Sequence, residues 1–146
     1  MKKTIISSAL IICMTILVFN RQISECIWPE KPVTKNVSLA ISADDNYHLS
    51  AYEHSKATVH VGIFKIVKGK QSLVWEKDFD TLLLKDYPEN GNAIRHNITI
   101  PKVYEKREDL IIRYKITYNS KGNIVELKNG SFFPEGKSTD LLTIKI

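Results

Sequence analysis

Four histidines, two cysteines, several close carboxylates and three asparagines in N-x-[ST] sequons are the side chains of this 146-residue chain that could carry chemistry. Imidazole invites a metal reading, because neutral histidine is the commonest metal ligand. Zinc, however, takes ligands in close pairs such as H-x₃₋₅-H, and His48, His54 and His60 are each six residues apart. His60 and His96 are the two that neighbouring strands would bring together, with Asp44 or Asp45 as a third group. Dispersed structural imidazoles fit the spacing better, and no metal site is expected. Acid–base catalysis needs two carboxylates held at different pKa values. Glu76 and Asp78 alternate onto the solvent face of a strand, and Asp44-Asp45 runs into Asn46 as turn chemistry. The chain has no G-x-S-x-G, no Cys/His pairing and no phosphate loop. The expectation is a protein without catalytic residues or cofactor.

Two kinds of covalent modification fit the pattern better. Asn36, Asn97 and Asn129 open sequons that a eukaryotic secretory pathway would glycosylate. Cys26 follows Ile23-Ser24-Glu25, a segment that resembles the lipobox of bacterial lipoproteins, with Glu25 where that motif carries a small residue. Cys13 falls within the leader described next, so Cys26 is at most the only cysteine of the mature chain. Three fates are open to it: acylation, a bridge to another chain, or removal with the leader.

That leader is residues 1–25. Lys2 and Lys3 precede an apolar run from Ile5 to Phe19, which ends at Asn20 and Arg21. A basic front and an apolar middle of roughly 7–15 residues mark a secretory signal peptide, and the run is short of the about 20 residues of a membrane span. Its removal leaves 18 basic against 15 acidic residues, lowering the net charge from +5 to +3. These charges are dispersed, with no basic stripe interleaved with aromatics, which argues against nucleic acid as partner. Residues 26–35, with Pro29 and Pro32, read as an extended tether, in which Trp28 is expected to pack rather than bind.

The elements that must position these groups are strands. Asn36–Ser42 and Ala57–Val67 alternate apolar and polar residues with period 2, the second as a central strand. Lys68-Gly69 turns it into Ser72–Phe79, with Leu73, Trp75 and Phe79 expected to share a face. Ile94–Ile100 is predicted to stop at Pro101, which cannot donate to a ladder. Leu110–Tyr118 turns through Asn119–Asn123 into Ile124–Leu127, and Asn129-Gly130 reads as a further turn before Ser131-Phe132-Phe133. Leu142, Ile144 and Ile146 end the chain as a strand. Short turns of helix are confined to Tyr47–Glu53 and Tyr104–Glu108. Asp80–Asn92 reads as a crossover loop with a short edge strand at Leu82–Leu84. Seven to eight strands at this spacing predict an all-β fold, a small antiparallel β-sandwich of immunoglobulin or transthyretin type over residues 36–146.

From Ala57 to Ile146 the pattern resembles the YbaY/YscW family of bacterial envelope lipoproteins, which includes the pilotins of type III secretion. The carriers are Ala57-Thr58-Val59-His60-Val61-Gly62-Ile63, the strand Leu110–Tyr118 leading to Gly122, then Ile124–Leu127 and Phe132-Phe133. Ile112 stands where that family has a tyrosine, and residues 80–92 are an insertion. The resemblance implies an open sandwich, an envelope location and a lipid on Cys26 that holds the protein to a membrane; its pilotin branch implies another envelope or secreted protein as partner. Together these readings give a non-enzymatic exported protein, in the cell envelope or outside the cell, acting through protein contacts as an assembly chaperone does. The competing reading is a secreted glycoprotein or ligand-binding module using the Asp80–Asn92 loop.

Overall fold

In the computed structural model, which describes residues 30–43 and 47–146, the period-2 apolar runs become strands. The leader, Cys26, Trp28 and Asp44-Asp45 lie outside the described residues. Of the two units into which the chain divides, Met1–Lys31 and Pro32–Ile146, the second carries the strands of the described residues. They are β1 (Val33–Ser42), β2 (Lys56–Val67), β3 (Lys70–Asp78), β4 (Leu82–Leu83), β5 (Ile94–Val103), β6 (Glu108–Ser120), β7 (Asn123–Phe132) and β8 (Thr139–Lys145). One sheet has the order β5-β1-β8; the other runs β3-β2-β6-β7, with β4 added beside β2. The fold is the expected all-β sandwich of eight strands. One pairing departs from antiparallel: β1 and β8 run parallel from Asn36↔Thr139 to Ser42↔Lys145. Almost the whole domain connects these two strands, so no tight turn imposes opposite directions on them.

The core lies between the sheets. Val37, Leu39 and Ile41 of β1 and Ile144 of β8 meet Val59, Val61 and Ile63 of β2 and Ile112 and Ile116 of β6, all at most 1% exposed. Each such side chain contributes about 1.5–3 kcal/mol by leaving water. Trp75, tilted over His96, and Phe79, edge-on to it, close the β3/β5 side, with ring centres 5.6 and 6.0 Å away. The two long hairpins share one device. Lys68-Gly69 and Lys121-Gly122 are two-residue loops with positive φ at both positions, 49° and 76° in the first, 50° and 88° in the second. That is the turn whose twist matches the flanking strands, and the glycine removes the steric cost at its second position.

Several boundaries differ from the sequence reading. β1 begins at Val33, so the tether stops short of Lys35, which is 4% exposed inside the strand. Pro101 does not end β5, which continues to Val103. The strand lies at a sheet edge, and the register slips between Val33↔Val103 and Lys35↔Ile100. Pro101 and Lys102, the latter with φ 55°, bulge out there, so the missing N–H breaks no ladder. Asn129-Gly130 is not a turn but the middle of β7, where the register with β6 is unbroken from Ile111↔Phe132 to Ser120↔Asn123. Leu73 does not share a face with Trp75: the ladder shifts between Ile63↔Trp75 and Phe64↔Leu73. Trp75 therefore stays with the core, and Leu73 turns outward beside Phe64 and is 46% exposed. Of the short helical turns, Ser50–Tyr52 falls within an expected segment, and the Arg107 and Glu108 amides return to the Tyr104 carbonyl in the other, but Leu84–Asp86 and Asn90–Asn92 form single turns inside the 80–92 segment, where none was expected.

Candidate functional site

The sequons are brought together in a way their spacing conceals. Asn36 pairs with Thr99 and Ser38 with Asn97 across β1 and β5, so each asparagine faces the hydroxyl of the other sequon. Thr99 Oγ1 donates to Asn36 Oδ1 at 3.0 Å, and Ser38 Oγ donates to Asn97 Oδ1 at 2.9 Å. This exposed polar ladder gives the N-x-[ST] pattern at Asn36 and Asn97 a structural reason independent of glycosylation. Asn129 lies apart on β7, where its Nδ2 donates to Tyr114 Oη at 3.2 Å.

The histidines do not converge. His96 faces the aromatic pair between the sheets, whereas His60 lies on the other sheet and bonds Asp78 Oδ1 through Nδ1 at 2.7 Å. Across the ladder His60 has Asp78 and Lys115 as neighbours, which supply neither hydroxyl nor thiol. His48 and His54 are exposed. Among the described residues no three His, Cys, Asp or Glu side chains are grouped to hold a metal, and no helix is long and apolar enough to cross a membrane.

The crossover loop is packed down rather than displayed. Leu84 and Tyr87 are buried, the Leu84 amide reaches the Ser55 carbonyl at 2.9 Å, and Tyr87 Oη donates to the Ala57 carbonyl at 2.9 Å. Burial, with Tyr118 close by, pushes the Tyr87 phenol up from 10.0 to about 12. Ser42 Oγ and Lys145 Nζ both bond Asn90 at the far end.

At one end of the sandwich, charged side chains surround a pocket of about 140 Å³ lined by Lys35, Val103, Glu105, Glu108, Leu110 and Phe133 among others. Lys35 Nζ bonds Glu105 and the Lys137 carbonyl. Lys65 pairs with Glu108 at 2.8 Å. Burial pushes the Glu108 carboxyl up, but hydrogen bonds from Lys65 and the Tyr104 amide, with the Lys65 charge, leave it below the ordinary carboxylate range. Lys35, Glu105 and Glu108 thus already have partners, an arrangement that ties segments together, while Asp109 and Glu135 add two further carboxylates to the lining.

Among the described residues, β7 is the strand exposed along its whole length. All ten of its residues are exposed. Ile124 is 64% exposed, Val125 63%, Leu127 46% and Phe132 62%. Among the described residues it is hydrogen-bonded on one side only, to β6. The β6 register sorts these side chains by face: Val125 and Leu127 share the face of Tyr118 and Ile116, whereas Ile124, Glu126, Lys128, Gly130 and Phe132 share the opposite face with Arg113 and Lys115. Glu126 accepts from Lys128 at 2.9 Å and Lys115 at 3.2 Å, and those hydrogen bonds hold its carboxyl below the usual range. Beside β7 lies a shallow trough of about 160 Å³, lined by Gly62, Phe64, Arg113, Lys115 and Lys128 among others. Arg113 is flanked on its ladder by Gly62 and Gly130, and its guanidinium lies 5.3 Å from the Phe64 ring centre. A Cβ at Gly130 would come within 3.0 Å of both the Ile112 carbonyl and Arg113 Cγ. Glycine is thus required there for close approach.

The sequence hides this edge, because Asn129-Gly130 reads as a turn and cuts one long strand into two short ones. Its signal was the adjacent pair Ile124-Val125, which places an apolar side chain on each face at once. No family profile, curated protein or solved structure matches this chain.

Proposed function

We propose that this is an exported, non-enzymatic β-sandwich that acts through protein contacts, with the free edge of β7 as its contact strand. The observation that carries the reading is the exposure of all ten residues of β7, apolar side chains on both faces included. An unpaired strand edge presents alternating N–H and C=O groups that an extended segment of another polypeptide can complete. Natural sheets blunt such edges with charged side chains, proline, bulges or short length, and β7 carries only the first of these, at Glu126 and Lys128. The other edges here carry those devices: β5 has Pro101 and its bulge, β3 has the irregularity opposite Ile63 and Phe64, and β8 is only seven residues long. β7 has an unbroken ten-residue register and no proline.

Export rests on the Lys2-Lys3 front, the apolar run to Phe19 and the polar segment up to Cys26. The resemblance to YbaY/YscW lipoproteins supports an envelope location with Cys26 as lipid anchor. The anchored buried residues of the 80–92 loop favour a contact edge over a binding loop. A photoreactive residue placed at Leu127 in the producing cell, with the same residue at exposed Glu53 as control, tests the reading. Adducts to a polypeptide from Leu127 and none from Glu53 are expected; equal yields from both, or none from Leu127, would overturn it.

A further inference from the structure

We infer that the strand which completes this edge is β7 of a second copy of the chain, paired antiparallel about a two-fold axis with Leu127 opposite Leu127. The inference rests on the reading of β7 as a contact strand and adds the identity of its partner. Side chains directly opposite each other in an antiparallel pair point to the same face, so each register makes definite juxtapositions. With Leu127 on the axis, Glu126 of each copy faces Lys128 of the other, two opposite-charge pairs on the face where both side chains are exposed. Leu127 meets its own equivalent on the other face. Ile124, 64% exposed, then lies across from Gly130, beside the Arg113 side chain that packs there. The neighbouring registers that keep the same faces together set Lys128 against Lys128 or Glu126 against Glu126, and like charges directly opposite repel. A two-fold interface must be self-complementary, and the order Glu126-Leu127-Lys128 meets that condition about its own centre.

Sedimentation of the mature chain over a wide concentration range, with two charge-reversal variants, tests this. Both residues are exposed, so the variants keep the fold, and circular dichroism checks that they do. Wild type is expected to self-associate to a dimer. Glu126→Lys and Lys128→Glu should each weaken association at least tenfold, by setting like charges opposite across the axis. An equimolar mixture of the two should recover it as a heterodimer, because each copy then meets the opposite charge. Wild type that stays monomeric at every concentration, single variants that associate as tightly as wild type, or a mixture that fails to recover would overturn the inference. If wild type is monomeric while Leu127 still forms adducts with a different polypeptide, the inference falls and the contact-strand reading stands. If Leu127 forms no adducts at all, both fall.

Discussion

Lys35, only 4% exposed, holds its ammonium 5.1 Å from the centre of the Phe133 ring. The same ammonium bonds Glu105 and the Lys137 carbonyl, so one buried charge ties β1, the β5–β6 turn and the segment before β8. Removing one partner of such a pair strands the other, whereas replacing the lysine by an apolar chain removes the need for a partner. Glu105→Gln is therefore expected to cost about 2 kcal/mol, below the roughly 3–5 kcal/mol of fully buried pairs because Glu105 is 35% exposed. Lys35→Met should change stability by less than about 1 kcal/mol in either direction. Urea unfolding at neutral pH measures both, and a larger loss for Lys35→Met than for Glu105→Gln would contradict the assignment.

Tyr87 should make the domain sensitive to alkali. Its folded pKa is raised from 10.0 to about 12. The protonated phenol is thus favoured in the fold, and its stabilisation is complete below pH 10 and lost as pH climbs towards 12. Tyr87→Phe removes the hydrogen bond to the Ala57 carbonyl, costing about 1 kcal/mol at neutral pH, and should reduce the alkaline loss. Tyr118, also raised by burial and by the neighbouring Tyr47 and Tyr114, leaves a residual slope. Denaturant midpoints at neutral pH and between pH 10 and 12 give the comparison; an unchanged alkaline slope in the variant would count against it.

Glycines at two positions should respond differently to a methyl group. At Gly130 the new carbon meets the Ile112 carbonyl at 3.0 Å, a backbone atom that cannot move without disturbing the ladder. Gly130→Ala is expected to destabilise by about 1–2 kcal/mol. Gly91 has open space around it and no positive φ, so Gly91→Ala should be neutral or stabilise by up to about 1 kcal/mol through the unfolded chain. Thermal unfolding of the two variants side by side is the measurement, and equal losses would refute the close-approach account.

The export proposal makes a prediction about mass. The chain recovered from its producing cell should lack residues 1–25 and, in the anchored form, begin at a diacylglycerol-bearing Cys26. Intact-mass spectrometry reads both directly and also reports any glycan at Asn36, Asn97 or Asn129. Recovery of the chain with Lys2, Lys3 and the apolar run still attached would contradict export by cleavage.

Period-2 alternation made the fold legible: Val59, Val61 and Ile63, or Leu142, Ile144 and Ile146, announce buried strand faces whatever lies around them. The failures share a cause. Pro101, Asn129-Gly130 and Leu73 obey local rules that tertiary position overrides, because an edge strand tolerates a proline, a continuous ladder absorbs an Asn-Gly pair, and a bulge reverses a face. Lys35 is hidden because a lysine ending a segment with Pro29 and Pro32 reads as solvent-exposed tether until its carboxylate partner, seventy residues later, is brought to it. The pairing of the two sequons was likewise invisible, since it depends on the register between β1 and β5. The contact edge was the least legible feature, because being an edge depends on how the strands are ordered in the sheet.

Amide hydrogen exchange along β7 tests the central claim most directly. In dilute, unassociated protein every second amide from Asn123 to Phe132 points away from β6, and these should exchange rapidly except at Gly130, whose amide donates to Asn129 Oδ1. In the associated form, whichever polypeptide supplies the strand, those amides should become protected while the edge amides of β3 and β5 stay unchanged. Protection that appears at β3 or β5 instead, or β7 amides that exchange equally fast in both forms, would contradict the account.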